Sequence, residues 1–258
     1  MSGHSHARTV KHTKDLAAAQ RSKAFSKLAV EITVAVKQGG GNPNTNARLR
    51  TAMERAKAAN MPSDNVERAI KKGAGEGQAE NLEEFLLEAY GPGGIAMLVA
   101  GITDNKNRML SDLKQILAKN QGKMVDGGAV RWLFEQKGVI TTSPKSDLPA
   151  LATPKALQAG VQNPKQKEDL ELMLIEAGAE DLYWREDGML DIYTKPADLE
   201  KVKNNLQAAG ISVEESSIDW VPKEEVAVDQ KTADSAQKLF DELDENDAVQ
   251  GIYSNLKG

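Results

Sequence analysis

The side chains that could do chemistry gather near the N-terminal end of the chain. His4, His6 and His12 are its only histidines, and it has no cysteine. A metal site needs ligands held in one geometry. Residues 1–14 are small, polar and basic, carry no hydrophobic period, and read as a flexible arm. No metal site is therefore expected. The lack of cysteine excludes thiol nucleophiles, zinc–thiolate sites and disulfides. The acidic run Asp241, Glu242, Asp244, Glu245 and Asp247 reads as a solvated helix face. GGG at 39–41 and GAGEG at 73–77 lack the strand–loop–helix setting, and the first lacks the Lys-Ser/Thr, that would make either a phosphate loop. No catalytic set and no cofactor site emerges, so the chain is expected not to be an enzyme.

What remains is positive charge. The net charge of −5 hides an asymmetry: residues 1–72 hold 14 Lys and Arg against 5 Asp and Glu, a balance of +9, and the remainder holds 19 against 33, a balance of −14. Such a split marks a segment suited to a polyanion. The candidates for contact are Arg8, Lys11, His12 and Lys14 in the arm, and Arg21, Lys23, Lys27, Arg48, Arg50, Arg55, Lys57, Arg68, Lys71 and Lys72 beyond it. Cations of this kind bind phosphates without regard to sequence, by releasing counterions. Aromatic residues make up only 4% of the chain. Only Phe25 lies in the basic region, so base stacking is not expected there, and backbone contact or shape recognition remains. A second cluster, TDNKNR at 103–108, sits at a helix start. Asp104 is read as its cap, with Lys106 and Arg108 beside exposed amides that could hold a phosphate. The partner classes left open are duplex DNA, ribosomal RNA or tRNA with the ribosome behind it, and an acidic protein docked by a scaffold.

The elements that must position these residues follow from periodicity. Phe25, Leu28, Ala29, Ile32 and Val36 place a helix over about 15–38, stopped by Gly39 as a left-handed cap. Asn46 caps a second helix over 47–60, with Leu49, Met53 and Ala56 as its apolar stripe. Arg48, Arg55 and Lys57 flank that stripe, so removing them is expected to weaken binding without unfolding the helices. Pro62, Ser63 and Asp64 open a third helix, with Asp64 and Glu67 spaced as a capping box and Gly73 at its end. Strands follow at 85–90 and 95–102 across the turn GPGG, then a helix after 108, a turn over 122–128, a strand over 129–134, and another from Val139. The Pro-rich stretch 143–166 reads as a surface insertion. A helix at 167–177, strands at 181–184 and 189–193, a helix at 196–209 and a strand from Ile211 complete β-α-β-β-α-β. A last helix (233–243) and strand (249–253) return to the earlier sheet.

The fold class expected is thus α+β and multidomain: a three-helix N-terminal domain and two ferredoxin-like α+β domains, the third inserted in the second. The boundaries expected are 1–80, then 81–135 with 211–258, then 136–210. No apolar run approaches the roughly 18 residues of a membrane span, and the N-terminus lacks the apolar stretch of a secretory signal. A cytoplasmic, non-membrane location is expected.

Several segments carry a resemblance. GHS at 3–5, KH at 11–12, FSKLAVEITVAVKQGGGNPNTNARLRTAMERAKAANMPSDNVERAIKKG at 25–73, YGPGG at 90–94, TDNKNR at 103–108, LFEQKG at 133–138, EAGAEDLY at 176–183 and DAVQGIYSN at 247–255 resemble, in order, the YebC/PmpR family. That family includes the mitochondrial translational activator of cytochrome c oxidase. The resemblance implies the same three-domain plan and a non-catalytic role, either as a DNA-binding transcriptional regulator or as a ribosome-associated factor that relieves stalling. Ala7 stands where the family usually carries an aromatic residue, His6 where it carries a lysine, and 143–166 is longer and richer in proline.

Overall fold

The computed structural model describes residues 18–76, 81–142, 164–185 and 188–257. The arm, with Arg8, Lys11, His12 and Lys14, and most of the 143–166 segment lie outside them. The described residues form two compact units, one of 18–133 with 226–256 and the other of 134–225 with Lys257.

The first unit opens with α1 (Ala18–Gly39), α2 (Ala47–Ala58) and α3 (Ser63–Gly73). Leu28, Ile32, Ala35 and Val36 of α1 close on Leu49, Ala52 and Ala56 of α2 and Ala69 of α3. Every residue from Ile32 to Val36 is buried, which exceeds a single amphipathic stripe, because α1 packs on both other helices. The left-handed residue that ends α1 is Gly40 (φ +82°), one position later than expected. Asn46 caps α2 as expected, accepting from the Leu49 N–H at 3.0 Å. Its buried amide also donates to the carbonyls of Ala35 and Gly40, both at 2.8 Å. Asn46→Ala removes the cap and strands two carbonyls, and should cost about 2–4 kcal/mol. Denaturant unfolding of the full chain, followed by helical circular dichroism, measures it; an unmoved midpoint contradicts this account. The expected capping box is not made: α3 starts at Ser63 after Pro62, which leaves Asp64 inside the first turn.

Next come β1 (Glu83–Tyr90), a tight turn at Pro92–Gly94, β2 (Ala96–Thr103), α4 (Lys106–Lys119) and β3 (Lys123–Val125). The chain returns after the second unit as α7 (Gln230–Asp244) and β8 (Val249–Ser254). The sheet runs β3-β1-β2-β8, antiparallel throughout. Leu87, Ala89, Met97 and Val99 of the sheet meet Leu113 and Leu117 of α4 and Leu239 and Phe240 of α7. Gly101 sits at the bulge between β2 and β8, where a Cβ would lie 2.0 Å from the Ala248 carbonyl; only glycine fits that approach.

Two expectations fail here. Residues 123–125, expected in a turn, pair with β1 as β3. Of residues 129–134, expected as a strand, 129–133 form turns and a short 3-10 helix at Arg131–Leu133, and only Phe134 is in a strand, as the first residue of the next one. The Glu88 carboxylate takes the N–H groups of Gly128, Val130 and Arg131, which removes those donors from any ladder.

The second unit holds β4 (Phe134–Thr142), α5 (Pro164–Ala177), β5 (Asp181–Trp184), β6 (Leu190–Thr194), α6 (Leu199–Ala208) and β7 (Glu215–Pro222). Its sheet order β5-β6-β4-β7 is the ferredoxin-like one. Ile140, Leu190 and Ile192 pack under Leu174 of α5 and Val202 and Leu206 of α6. β7 begins at Glu215 rather than 211 and pairs along β4 from Phe134. Residues 211–225 therefore belong with this sheet, and the unit runs 134–225 rather than 136–210. The molecule is multidomain α+β, with three N-terminal helices and two four-stranded antiparallel sheets. The first sheet reaches its two-layer form by another path, with its β1–β2 hairpin at the centre.

Candidate nucleic-acid interface

The described cations fall into two groups. In the first, side chains are engaged inside the first unit. Lys23 donates to the Glu245 carbonyl. Lys27 donates to the Asp244 carbonyl at 2.6 Å and pairs with its carboxylate at 3.0 Å, with only 14% of its side chain exposed. Burial pushes the Lys27 ammonium below its ordinary pKa, against the opposing pull of Asp244. Both lysines sit at the C-terminal end of α7, where carbonyls attract cations. Arg48 pairs with Glu84 on β1 and donates to Gln38. The hydrogen bond between Arg48 and Glu84, more than the burial opposing it, raises the arginine's pKa and depresses that of Glu84. Arg50 donates to the Pro43 carbonyl at 2.8 Å. Arg55 reaches both oxygens of Glu31 at 2.7 and 2.8 Å, the two side chains being 16% and 20% exposed.

The second group faces water. Arg21 lies near the start of α1, Lys57 in the last turn of α2, and Lys71 and Lys72 in the last turn of α3, all exposed. Lys106 is exposed in the first turn of α4. Arg68 bonds back to the Asp64 carbonyl and to Asn65.

The expectation that Arg48, Arg55 and Lys57 could be removed together without structural cost is corrected. Arg48 ties the helices to the sheet and Arg55 ties α1 to α2; of the three, Lys57 projects outward from the end of α2. At TDNKNR the cap is Asn105, whose carboxamide accepts the Arg108 N–H at 3.0 Å. Asp104 instead pairs with the Arg108 guanidinium at 3.0 Å on an exposed surface. Both readings share one motif; the chain selects Asn105 because Thr103 accepts its N–H at 3.0 Å and fixes its backbone.

Two residues escaped the sequence reading. Glu88 is buried on β1, and Trp132 is exposed on the turn that Glu88 pins. The one signal for Glu88 was a carboxylate two residues from the end of an otherwise apolar strand. Among the described residues no group of His, Asp and Glu is placed to hold a metal, and no helix is long and apolar enough to cross a membrane.

Residues 5–76 match the family described as the TACO1/YebC protein N-terminal domain, and residues 82–256 match the TACO1/YebC second and third domain. A "probable transcriptional regulatory protein" of Dehalococcoides mccartyi is 43% identical over 256 residues, covering 99% of this chain and 94% of its own. One from Citrifermentans bemidjiense is 44% identical, covering 99% and 96%. The crystal structure of a conserved hypothetical protein from Aquifex aeolicus superposes with a TM-score of 0.81 at 43% identity, covering 98% of this chain and 96% of that one. Matched from the first helical residues to the last strand, the chain belongs to the TACO1/YebC family.

Proposed function

We propose that this protein is a non-enzymatic regulator of gene expression that binds nucleic acid through its N-terminal helices and basic arm, with duplex DNA as the first target. The observation that carries the reading is the pair of helix ends, α2 with Lys57 and α3 with Lys71 and Lys72, exposed on a module far more basic than the rest of the chain. Lysines on short, well-packed helices present charge without first ordering a segment. The relatives named as transcriptional regulators support the DNA reading. A translation factor acting on structured RNA is the second reading, favoured by the exposed Trp132, since folded RNA offers unpaired bases.

Binding of the full chain to a duplex DNA and to a structured RNA, followed over a salt series, tests this. If about five phosphates are neutralised, log K should fall with log salt at a slope of about −4 to −5 on the duplex. An affinity indifferent to salt between roughly 50 and 200 mM would leave the basic surface without its assigned role, and point to protein docking instead.

A further inference from the structure

The end of α7 runs against helix electrostatics. A helix C-terminus carries partial negative charge and is stabilised by cations. The last turn of α7 holds no basic residue. Instead Asp241, Glu242, Asp244, Glu245 and Asp247 crowd it with carboxylates. The Asp244 and Glu245 carbonyls are among the last of the helix, which have no partner within it. On α1 the conflict has the opposite sign. Lys23 and Lys27 stand four residues apart on one face, a like-charge pair that destabilises an isolated helix. Burial and, less strongly, the charge of Lys23 push the Lys27 ammonium below its ordinary pKa, while Asp244 opposes them. Each conflict is relieved by the other. Lys23 donates to the Glu245 carbonyl, and Lys27 to the Asp244 carbonyl at 2.6 Å and carboxylate at 3.0 Å.

What α7 offers these lysines is a row of anionic oxygens, the chemistry a phosphate backbone also offers. The two cannot share the pair, because the carboxylates of α7 repel a polyanion. The acidic run is anchored on its other side. Glu242 takes Lys119 at 3.1 Å and the Asn120 amide at 2.9 Å, both from the end of α4. Thus α7 stays with the sheet, and α1 is the partner able to leave. The three helices close on a core of their own, and the sheet with α4 and α7 closes on another. Toward its C-terminal end α1 is tied to the sheet by the exposed contacts of Gln38 and Arg48 with Glu84. Exposed ion pairs are individually weak and are screened by salt.

We infer that Lys23 and Lys27 are a reserve part of the polyanion surface, occupied by the acidic end of α7 in the free protein and uncovered when a nucleic acid displaces it, so that α1 parts from α7 on binding. This rests on the nucleic-acid reading above and adds a built-in competitor to it. The chain has no cysteine, so Ser22→Cys on α1 and Lys238→Cys on α7, both exposed and outside the contact, accept a pair of spin labels in the full chain. The distance between the labels should lengthen when duplex DNA or a structured RNA saturates the protein. Neutralising the competitor with Asp244→Asn, Glu245→Gln and Asp247→Asn should lengthen it without any ligand. If the contact is closed nine-tenths of the time, that variant should also bind about 10-fold more tightly. The control is Asp112→Asn, Glu176→Gln and Glu224→Gln, which removes the same charge from exposed acids elsewhere and should gain less. An unmoved distance at saturation, or a gain no larger than the control's, overturns the inference and leaves the contact as a fixed anchor. Should neither nucleic acid bind, the nucleic-acid reading fails by itself. Polyphosphate, a polyanion without bases, then decides this one: a lengthened distance upholds the displaceable contact, and an unmoved one sinks it. The label measurement keeps Lys23, Lys27 and all five acids in place, so it stands even if the neutralised variant folds poorly.

Discussion

Changing Lys57, Lys71 and Lys72 together to alanine should weaken duplex binding on the order of 100-fold at physiological salt, with the helical signal and unfolding midpoint intact. Each phosphate contact releases about 0.9 counterion, worth about 0.7 log units near 0.15 M salt, so three contacts give about two. The salt slope should also flatten by about 2.7. All three side chains are exposed at helix ends, and surface substitutions of this kind usually change stability by no more than about 0.5 kcal/mol. Arg55→Ala is the contrasting variant. It leaves the carboxylate of Glu31, 20% exposed, without its bidentate partner, and should cost about 1–3 kcal/mol of stability. Any binding loss in that variant tracks unfolding. An unflattened slope in the triple lysine variant would remove these helix ends from the interface.

The division between the two groups of cations explains what the sequence could and could not reveal. Helical period placed Leu28, Ile32, Leu49 and Ala56 on the apolar stripes that meet in one core, because i, i+3, i+4 spacing is a local property. The cap at Asn46 was equally local, as its side chain need reach only three residues. Arg48 and Arg55 sit on the flanks of the same stripe as Lys57, and nothing local separates them. Their partners, Glu84 and Glu31, lie 36 and 24 residues away. Lys23 and Lys27 find the end of α7 more than 200 residues on. A positive charge balance is visible in composition, whereas which cations are spent on internal carbonyls and carboxylates is a property of tertiary packing.

The same limit hid the turn at 126–133. Ala129–Phe134 alternates well enough to suggest a strand, and a strand would have paired Trp132 into a sheet. The competing partner is Glu88, some forty residues earlier, whose carboxylate satisfies the backbone donors of Gly128, Val130 and Arg131 more strongly than a neutral ladder would. In the second unit, by contrast, local pattern sufficed for nearly every element. There β7 starts four residues late because the Thr142 hydroxyl and the Thr141 carbonyl hold the residues just before it, at Ser212 and Glu214.

Glu88→Gln should therefore cost about 2–4 kcal/mol at neutral pH, because charge-assisted bonds are replaced by one carbonyl oxygen and an amide that opposes backbone donors. Burial alone would raise the Glu88 pKa, but the bonds from Gly128, Val130 and Arg131 outweigh it and hold the carboxyl below its ordinary value of 4.5. A depressed folded pKa stabilises the native state fully above the unfolded value, and that stability is lost as pH falls toward the folded one. The stability gap between wild type and Glu88→Gln should thus be level from neutral pH down to about pH 5 and close progressively below the ordinary glutamate range. Exchange protection of the Val130 and Arg131 amides should fall in the variant while amides in α4 stay protected, because the turn opens without the core. Trp132→Ala, which leaves the carboxylate untouched, should show neither effect. A gap that widens on acidification, or Val130 and Arg131 amides as protected in Glu88→Gln as in the wild type, would mean that the carboxylate does not hold the turn.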